Sequence, residues 1–183
     1  MYSLKEEGFW AICSAVVMFT CIMPLLSLNM MKNAHMVSDW EVSNHKERVP
    51  VLISSALFLC CLYYVFSYLE ENSGSIFENF FSVIMGGIVL SILGAAISYF
   101  WKISLHSMMI AALAGAMIGL TTTLSPILNM EDMVFYNSLI LLTVGVVAFA
   151  RLHQKAHNIL QVLGGMFLGF TVEFLVVNNE WYF

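Results

Sequence analysis

Charge is what this chain has least of. Only 10% of its 183 residues are charged, against 60% hydrophobic. A soluble domain carries about 25% charged residues. So few charges cannot solvate a globular surface, which makes the chain an integral membrane protein. It also lacks a basic block, and its net charge is −5, so nucleic acid is not an expected partner. Its four cysteines, Cys13, Cys21, Cys60 and Cys61, have no metal-ligand spacing. All lie in apolar runs, where cysteine packs as a small hydrophobe. The first apolar run lacks the basic flank of a signal peptide. Lys5, Glu6 and Glu7 are net acidic, and a run of about 20 residues exceeds an h-region of about 7–15. A retained helix is expected there.

A bilayer core of about 30 Å needs roughly 20 apolar residues as helix. Six runs qualify: Phe9–Leu28, Val49–Leu69, Phe77–Phe100, Ser107–Leu124, Met133–Ala150 and Asn158–Val177. Lipid offers backbone groups no partner, so each run must be helical. The expected fold is all-α, a single domain over residues 1–183 built as a bundle of six transmembrane helices. Pro24 should kink the first span, and Pro50 suits the first turn of the second. Gly115 and Gly119 form a GxxxG in the fourth span, as do Gly165 and Gly169 in the sixth. Such motifs let helices approach closely, within one chain or in a homo- or hetero-oligomer. Trp10, Tyr99, Trp101, Trp181 and Tyr182 read as an interfacial aromatic belt.

Alternation of the spans puts the segments after spans one, three and five on one membrane face. The first carries Lys32, His35, Asp39, Glu41, His45, Lys46, Glu47 and Arg48. The second carries Lys102, Ser104 and His106, and the third Arg151, His153, Lys155 and His157. All five histidines and six of the seven Lys and Arg fall on this face. The other face receives Lys5 with Glu6, Glu7, Glu70, Glu71, Glu78, Glu131, Asp132, Glu173 and Glu180. Glu173 comes 16 residues after His157, about 24 Å along a helix, where its carboxylate is expected to reach water. The positive-inside rule accounts for Lys and Arg. It does not account for histidine, which is mostly neutral at pH 7. A cationic, histidine-bearing pocket for an anion accounts for both.

Arginine presents a fork of donors that matches phosphate oxygens. Histidine supplies a nucleophile, acid or base near neutral pH. Two histidines in a basic pocket suit phosphoryl transfer without a metal or cofactor, the arginines holding the transition-state charge. A substrate arriving from the bilayer would be a lipid phosphate. His153 and His157 are four apart and could share a helix face, but no nearby Asp, Glu or Cys completes a zinc site. No span interior shows a midplane carboxylate or a paired broken helix, which argues against a proton-coupled transporter. The long segment 29–48 reads either as a lid over the pocket or as a solvated connector.

The spacing Arg151, five residues, His157, three residues, position 161 resembles the third signature, S-R-x5-H-x3-D, of the type 2 phosphatidic acid phosphatase superfamily. Ser104-Leu105-His106 resembles the end of its P-S-G-H signature, and Arg48 falls where its K-x6-R-P signature belongs. The resemblance implies a six-helix core with these signatures on one face. It implies that His157 forms a phosphohistidine and His106 protonates the departing lipid alkoxide. Arg48 and Arg151 would bind phosphate, helped by Ser104, with Lys102 or Lys46 in place of the signature lysine. Substrates would be phosphatidic acid, phosphatidylglycerol phosphate or a polyprenyl diphosphate, and the location a bacterial inner membrane. Relatives suggest the periplasmic surface, whereas the cation count puts the cluster in the cytoplasm.

The chain departs from these signatures at several positions. Gln161 stands where the family has Asp, and Ala150 where it has Ser. Ile103 and Leu105 replace the Pro and Gly of P-S-G-H, Glu41 occupies the lysine position, and Val49 separates Arg48 from Pro50. The Gln161 carbonyl can hold an imidazole N–H one helical turn away, but it cannot balance an imidazolium. The alternative is therefore an inactive member that binds lipid headgroups or serves as a subunit of a membrane complex.

Overall fold

The computed structural model describes residues 6–73, 78–123 and 129–179. Six helices long and apolar enough to cross a membrane account for nearly all of them, and the described residues contain no strand. The first span is composite: α1 (Glu6–Val17), a π-helical turn at Met18–Ile22, and α2 (Met23–Asn33). The remaining spans are α3 (Arg48–Ser73), α4 (Glu78–Phe100), α5 (Leu105–Thr123), α6 (Met130–His153) and α7 (Ile159–Asn178). Pro24 cannot donate to the carbonyl four residues back. The expected disruption takes the form of the widened turn before it, closed by Met23 N–H donating to the Met18 carbonyl. Pro50 sits in the first turn of α3, as its fixed φ favours. Trp10, Tyr99 and Trp101 are exposed near helix ends. Trp181, Tyr182, Lys5, Glu180 and the side chains of Glu6, Glu7, Glu71 and Glu78 lie outside the described residues.

Packing is strongest where side chains are smallest. Gly115 and Gly119 on α5 and Gly165 and Gly169 on α7 are buried. A Cβ on Gly115 would lie 2.5 Å from the Phe170 carbonyl oxygen, and one on Gly165 would lie 2.6 Å from that of Ser104. A Cβ on Gly169 would run into the Met108 carbonyl. The two GxxxG motifs thus join α5 to α7 inside one chain. Leu90 on α4 packs with Met108 and Ala112 on α5. Val144 on α6 packs with Ala111 and Ala114 on α5. α3 and α4 share a separate core of Leu62, Phe66, Phe81 and Ile84.

Glu173 does not reach water. It is 3% exposed, its Oε2 has no hydrogen-bond partner, and its carboxyl lies against the bare backbone of Gly86 on α4. Sequence separation sets how far along α7 it lies, but rotation about the helix axis aims the side chain inward. A buried, unpartnered polar atom costs about 1–3 kcal/mol. Glu173→Met, unbranched and of similar length, is therefore expected to raise stability by about that amount. The check is thermal unfolding in detergent, and unchanged or lowered stability would show that the carboxyl is structurally required.

Candidate active site

Three segments converge on one end of the bundle. After α2 the chain runs through residues 34–44 and enters α3 by a 3-10 turn at His45–Glu47. Asn44 caps that turn by accepting from Lys46 N–H, and Glu47 accepts from the Ser38 N–H and hydroxyl. His45 is no idle interfacial side chain: its Nδ1 lies 2.6 Å from the Ser98 carbonyl oxygen at the end of α4. Val37 and Val42 are buried. Segment 34–44 is thus anchored rather than a freely solvated connector, and it walls one side of the site.

Arg48 opens α3 and is only 5% exposed. Its Nε donates to the Val42 carbonyl and its Nη1 to the Ile103 carbonyl, both at 2.8 Å. These bonds tie the first segment to the second and leave Nη2 for a ligand. α6 ends at His153, and the chain reverses through Lys155 in the left-handed region at φ 54°. The break separates His153 from His157, so the two do not share a helix face. His153 instead stacks on Phe149 at 5.7 Å. Among the described residues no group of three His, Cys, Asp or Glu could hold a metal ion.

His157 is 7% exposed and stands just before α7. Asn158 caps that helix by accepting from Gln161 N–H at 2.9 Å, and Gln161 Oε1 accepts from Asn158 N–H at 3.2 Å. This reciprocal pair is a capping box. The same Oε1 lies 3.1 Å from His157 Nδ1. A backbone N–H can only donate, so the atom facing it is the amide oxygen. Nδ1 must then carry the proton, which leaves the Nε2 lone pair free. Burial holds the His157 imidazole below its ordinary 6.5. The charges of Arg48, Arg151 and Lys102 push the same way, and the Gln161 hydrogen bond opposes them.

A polar cavity of about 380 Å³ is lined by Glu41, Ser43, Arg48, Lys102, Arg151, Gln154, Ala156 and His157. Arg151 is steered by Gln154, whose Oε1 accepts from Nη1 at 3.2 Å. The Arg151 Nε is buried without a partner, a donor prepared for an incoming anion. Four of the expected site residues, Arg48, Lys102, Arg151 and His157, therefore share one cavity, with Gln161 directly behind the histidine.

The other three expected residues are placed differently. Ser104 is fully buried: its hydroxyl pairs with that of Ser107 at 2.9 Å, and its N–H donates to the Gln161 carbonyl at 3.2 Å. The Ile103 N–H is also engaged, with the Trp101 carbonyl. With Ile103 and Leu105 on either side, this segment is a strut between α5 and α7, and Ser104 is not among the residues that line the polar cavity. Lys46 is exposed on the capped turn and does not line the cavity. His106 is also absent from that lining. It lines a second, apolar cavity of about 430 Å³ with Leu105, Met109, Ile110 and Val147. Both histidines were expected in one pocket. Instead His106 lies beside it, within electrostatic reach of Arg48 and Arg151. Val147 in the lining of the apolar cavity and Arg151 in that of the polar cavity are one turn apart on α6, about 6 Å in rise. Sequence reasoning missed Gln154 and Ser43 as lining residues. Gln154 was detectable three residues after Arg151, whereas nothing in the sequence brought Ser43 to this cavity.

The fold and this site define an integral membrane protein of six helices with a one-sided cationic cavity built around a histidine. The PAP2 superfamily model matches residues 97–183, from the last turn of α4 through α7, which makes the chain consistent with a PAP2 superfamily member. No curated protein and no solved structure matches it.

Proposed function

We propose that this protein is a phosphatase acting on a lipid phosphate or diphosphate, in a bacterial inner membrane, through a phosphohistidine at His157. The convergence of Arg48, Lys102, Arg151 and the free Nε2 side of His157 on one cavity carries this reading. PAP2 superfamily sequence over residues 97–183 supports a phosphatase-type activity. Nε2 attacks phosphorus, and the bond from phosphorus to the lipid oxygen breaks. His106, at the boundary of the apolar cavity that would take the lipid chain, donates a proton to the departing alkoxide. Water then attacks the phosphohistidine, the P–N bond breaks, and the water proton returns to His106. Arg48 Nη2, Arg151 Nε and Lys102 balance the charge on the equatorial oxygens.

The test is phosphate release by purified protein from a panel of lipid phosphates, with His157→Ala beside it. Equal silence of both proteins on every lipid would sink the enzymatic reading. Gln161 favours a second reading, an inactive headgroup-binding protein, because an amide cannot balance an imidazolium. Lipid binding that survives His157→Ala but is lost in Arg151→Ala would support that one.

A pH profile follows from the His157 shift. The attacking form is neutral, and burial keeps it neutral to lower pH than a free imidazole. The acid limb of kcat/KM, which reports the free enzyme, should therefore fall below pH 6.5, and a limb at or above 6.5 would contradict the assignment. The same depression contributes stability that is fully present above the ordinary value and lost as pH falls through the folded one.

A further inference from the structure

Glu41 is the one acidic side chain lining a cavity otherwise built for an anion. It occupies the position where the resemblance of the first segment calls for lysine. Its carboxylate is exposed, and among the described residues no hydrogen bond or ion pair holds it. It does not merely neutralise a contacting cation. Its carboxylate stands on the cavity wall, within electrostatic reach of His106.

We propose that Glu41 sets the substrate class of this cavity, favouring a lipid with a single terminal phosphate over a lipid diphosphate. The inference rests on the lipid-phosphate reading above and decides between its two substrate classes. Size cannot make that choice, because about 380 Å³ is ample within the roughly 300–1,000 Å³ of small-molecule sites. Charge can. Arg48, Lys102 and Arg151 supply three positive charges, Glu41 removes one, and His157 is neutral at pH 7, so three minus one leaves two. A phosphate monoester carries about −1.5 to −2 at that pH, which this cavity matches. A diphosphate adds charge that Glu41, the acidic side chain in the lining, is placed to repel.

The experiment compares wild type, Glu41→Gln and Glu41→Asp. Phosphate release is measured from phosphatidic acid and from a polyprenyl diphosphate in the same detergent. Binding of inorganic phosphate and of pyrophosphate to the full-length protein is measured by calorimetry. Glu41→Gln is expected to raise the diphosphate-to-monophosphate preference about fivefold to tenfold at low salt, with the gain shrinking as salt rises. Glu41→Asp should keep the wild-type preference. A preference unchanged by Glu41→Gln within twofold, in turnover and in binding alike, overturns the proposal. So does equal loss of discrimination in Glu41→Asp, or failure of wild type to bind either anion. If no variant releases phosphate from any lipid, the enzymatic reading fails, and the binding ratio still decides the role of Glu41.

Discussion

Substituting His157 by Ala is expected to reduce phosphate release to background, a fall of about 10⁴-fold or more, the scale on which removal of a positioned nucleophile is felt. Arg48, Lys102 and Arg151 would remain, so anion binding should persist while turnover is lost. The companion substitution is Gln161→Glu. In serine proteases, changing the Asp behind the histidine to Asn costs about 10⁴, in large part through the wrong tautomer. Here the tautomer is already right, because Asn158 N–H fixes the Gln161 oxygen toward His157 Nδ1. What is missing is charge alone. A carboxylate facing a developing imidazolium at a partly exposed site is worth about 1.4–3 kcal/mol, so Gln161→Glu should accelerate turnover about 10- to 100-fold. Glu retains the length of Gln and the third-position role in the capping box. Asp is one methylene shorter, must give up part of the 3.1 Å contact, and should gain less. Gln161→Glu should also move the acid limb upward, since a carboxylate raises the histidine pKa. Single-turnover kinetics with alkaline-quench detection of the acid-labile phosphohistidine, repeated across pH, checks all of this. A Gln161→Glu protein no faster than wild type would show that charge behind His157 is not what limits the rate.

Substituting Gly169 by Leu is expected to unfold the α5–α7 pair. An added Cβ would enter the space of the Met108 carbonyl, and a backbone carbonyl cannot rotate aside as a side chain does. Overpacking costs about 1–3 kcal/mol where side chains can adjust, so a clash with backbone should cost at least about 3 kcal/mol. That corresponds to roughly 6–12 °C of melting temperature for a chain of this size. Gly145 is the control: a Cβ there meets nothing within 4 Å, so Gly145→Ala should match wild type. Gly165→Ala links the seam to chemistry. Its Cβ would press on the Ser104 carbonyl, and Ser104 N–H holds the Gln161 carbonyl. Activity should therefore fall before the fold is lost, as His157 moves relative to Arg48. Size-exclusion profiles after heating, read beside kcat, separate the two effects.

The span count was legible because hydrocarbon permits one solution for an uncharged apolar run. The six helices fall within a few residues of the six runs, the largest departures being the first span, which extends to Asn33, and the second, which starts at His45. Alternation then placed Arg48, Lys102, Arg151 and His157 on one face without any knowledge of packing. The four-residue spacing of His157 and Gln161 was likewise enough to foresee their contact, since a carbonyl one turn away can face the ring.

Other assignments needed the assembled bundle. Linear spacing says how deep Glu173 lies but not which way it turns, and only the α4 contact shows it buried. The motif around Ser104 implies a helper in phosphate binding, but its hydroxyl and N–H are engaged by Ser107 and Gln161, partners outside the motif. His106 belongs to the right loop, yet the first turn of α5 rotates it toward Val147 and an apolar cavity. Amino-acid sequence by itself determined the helices, the membrane face and the histidine–glutamine pair, because these depend on local periodicity and on the exclusion of charge from lipid. Tertiary structure alone decided which polar groups share a cavity and which serve as struts. Those outcomes depend on helix rotation and on hydrogen bonds such as Arg48 to Ile103, made across 55 residues of chain.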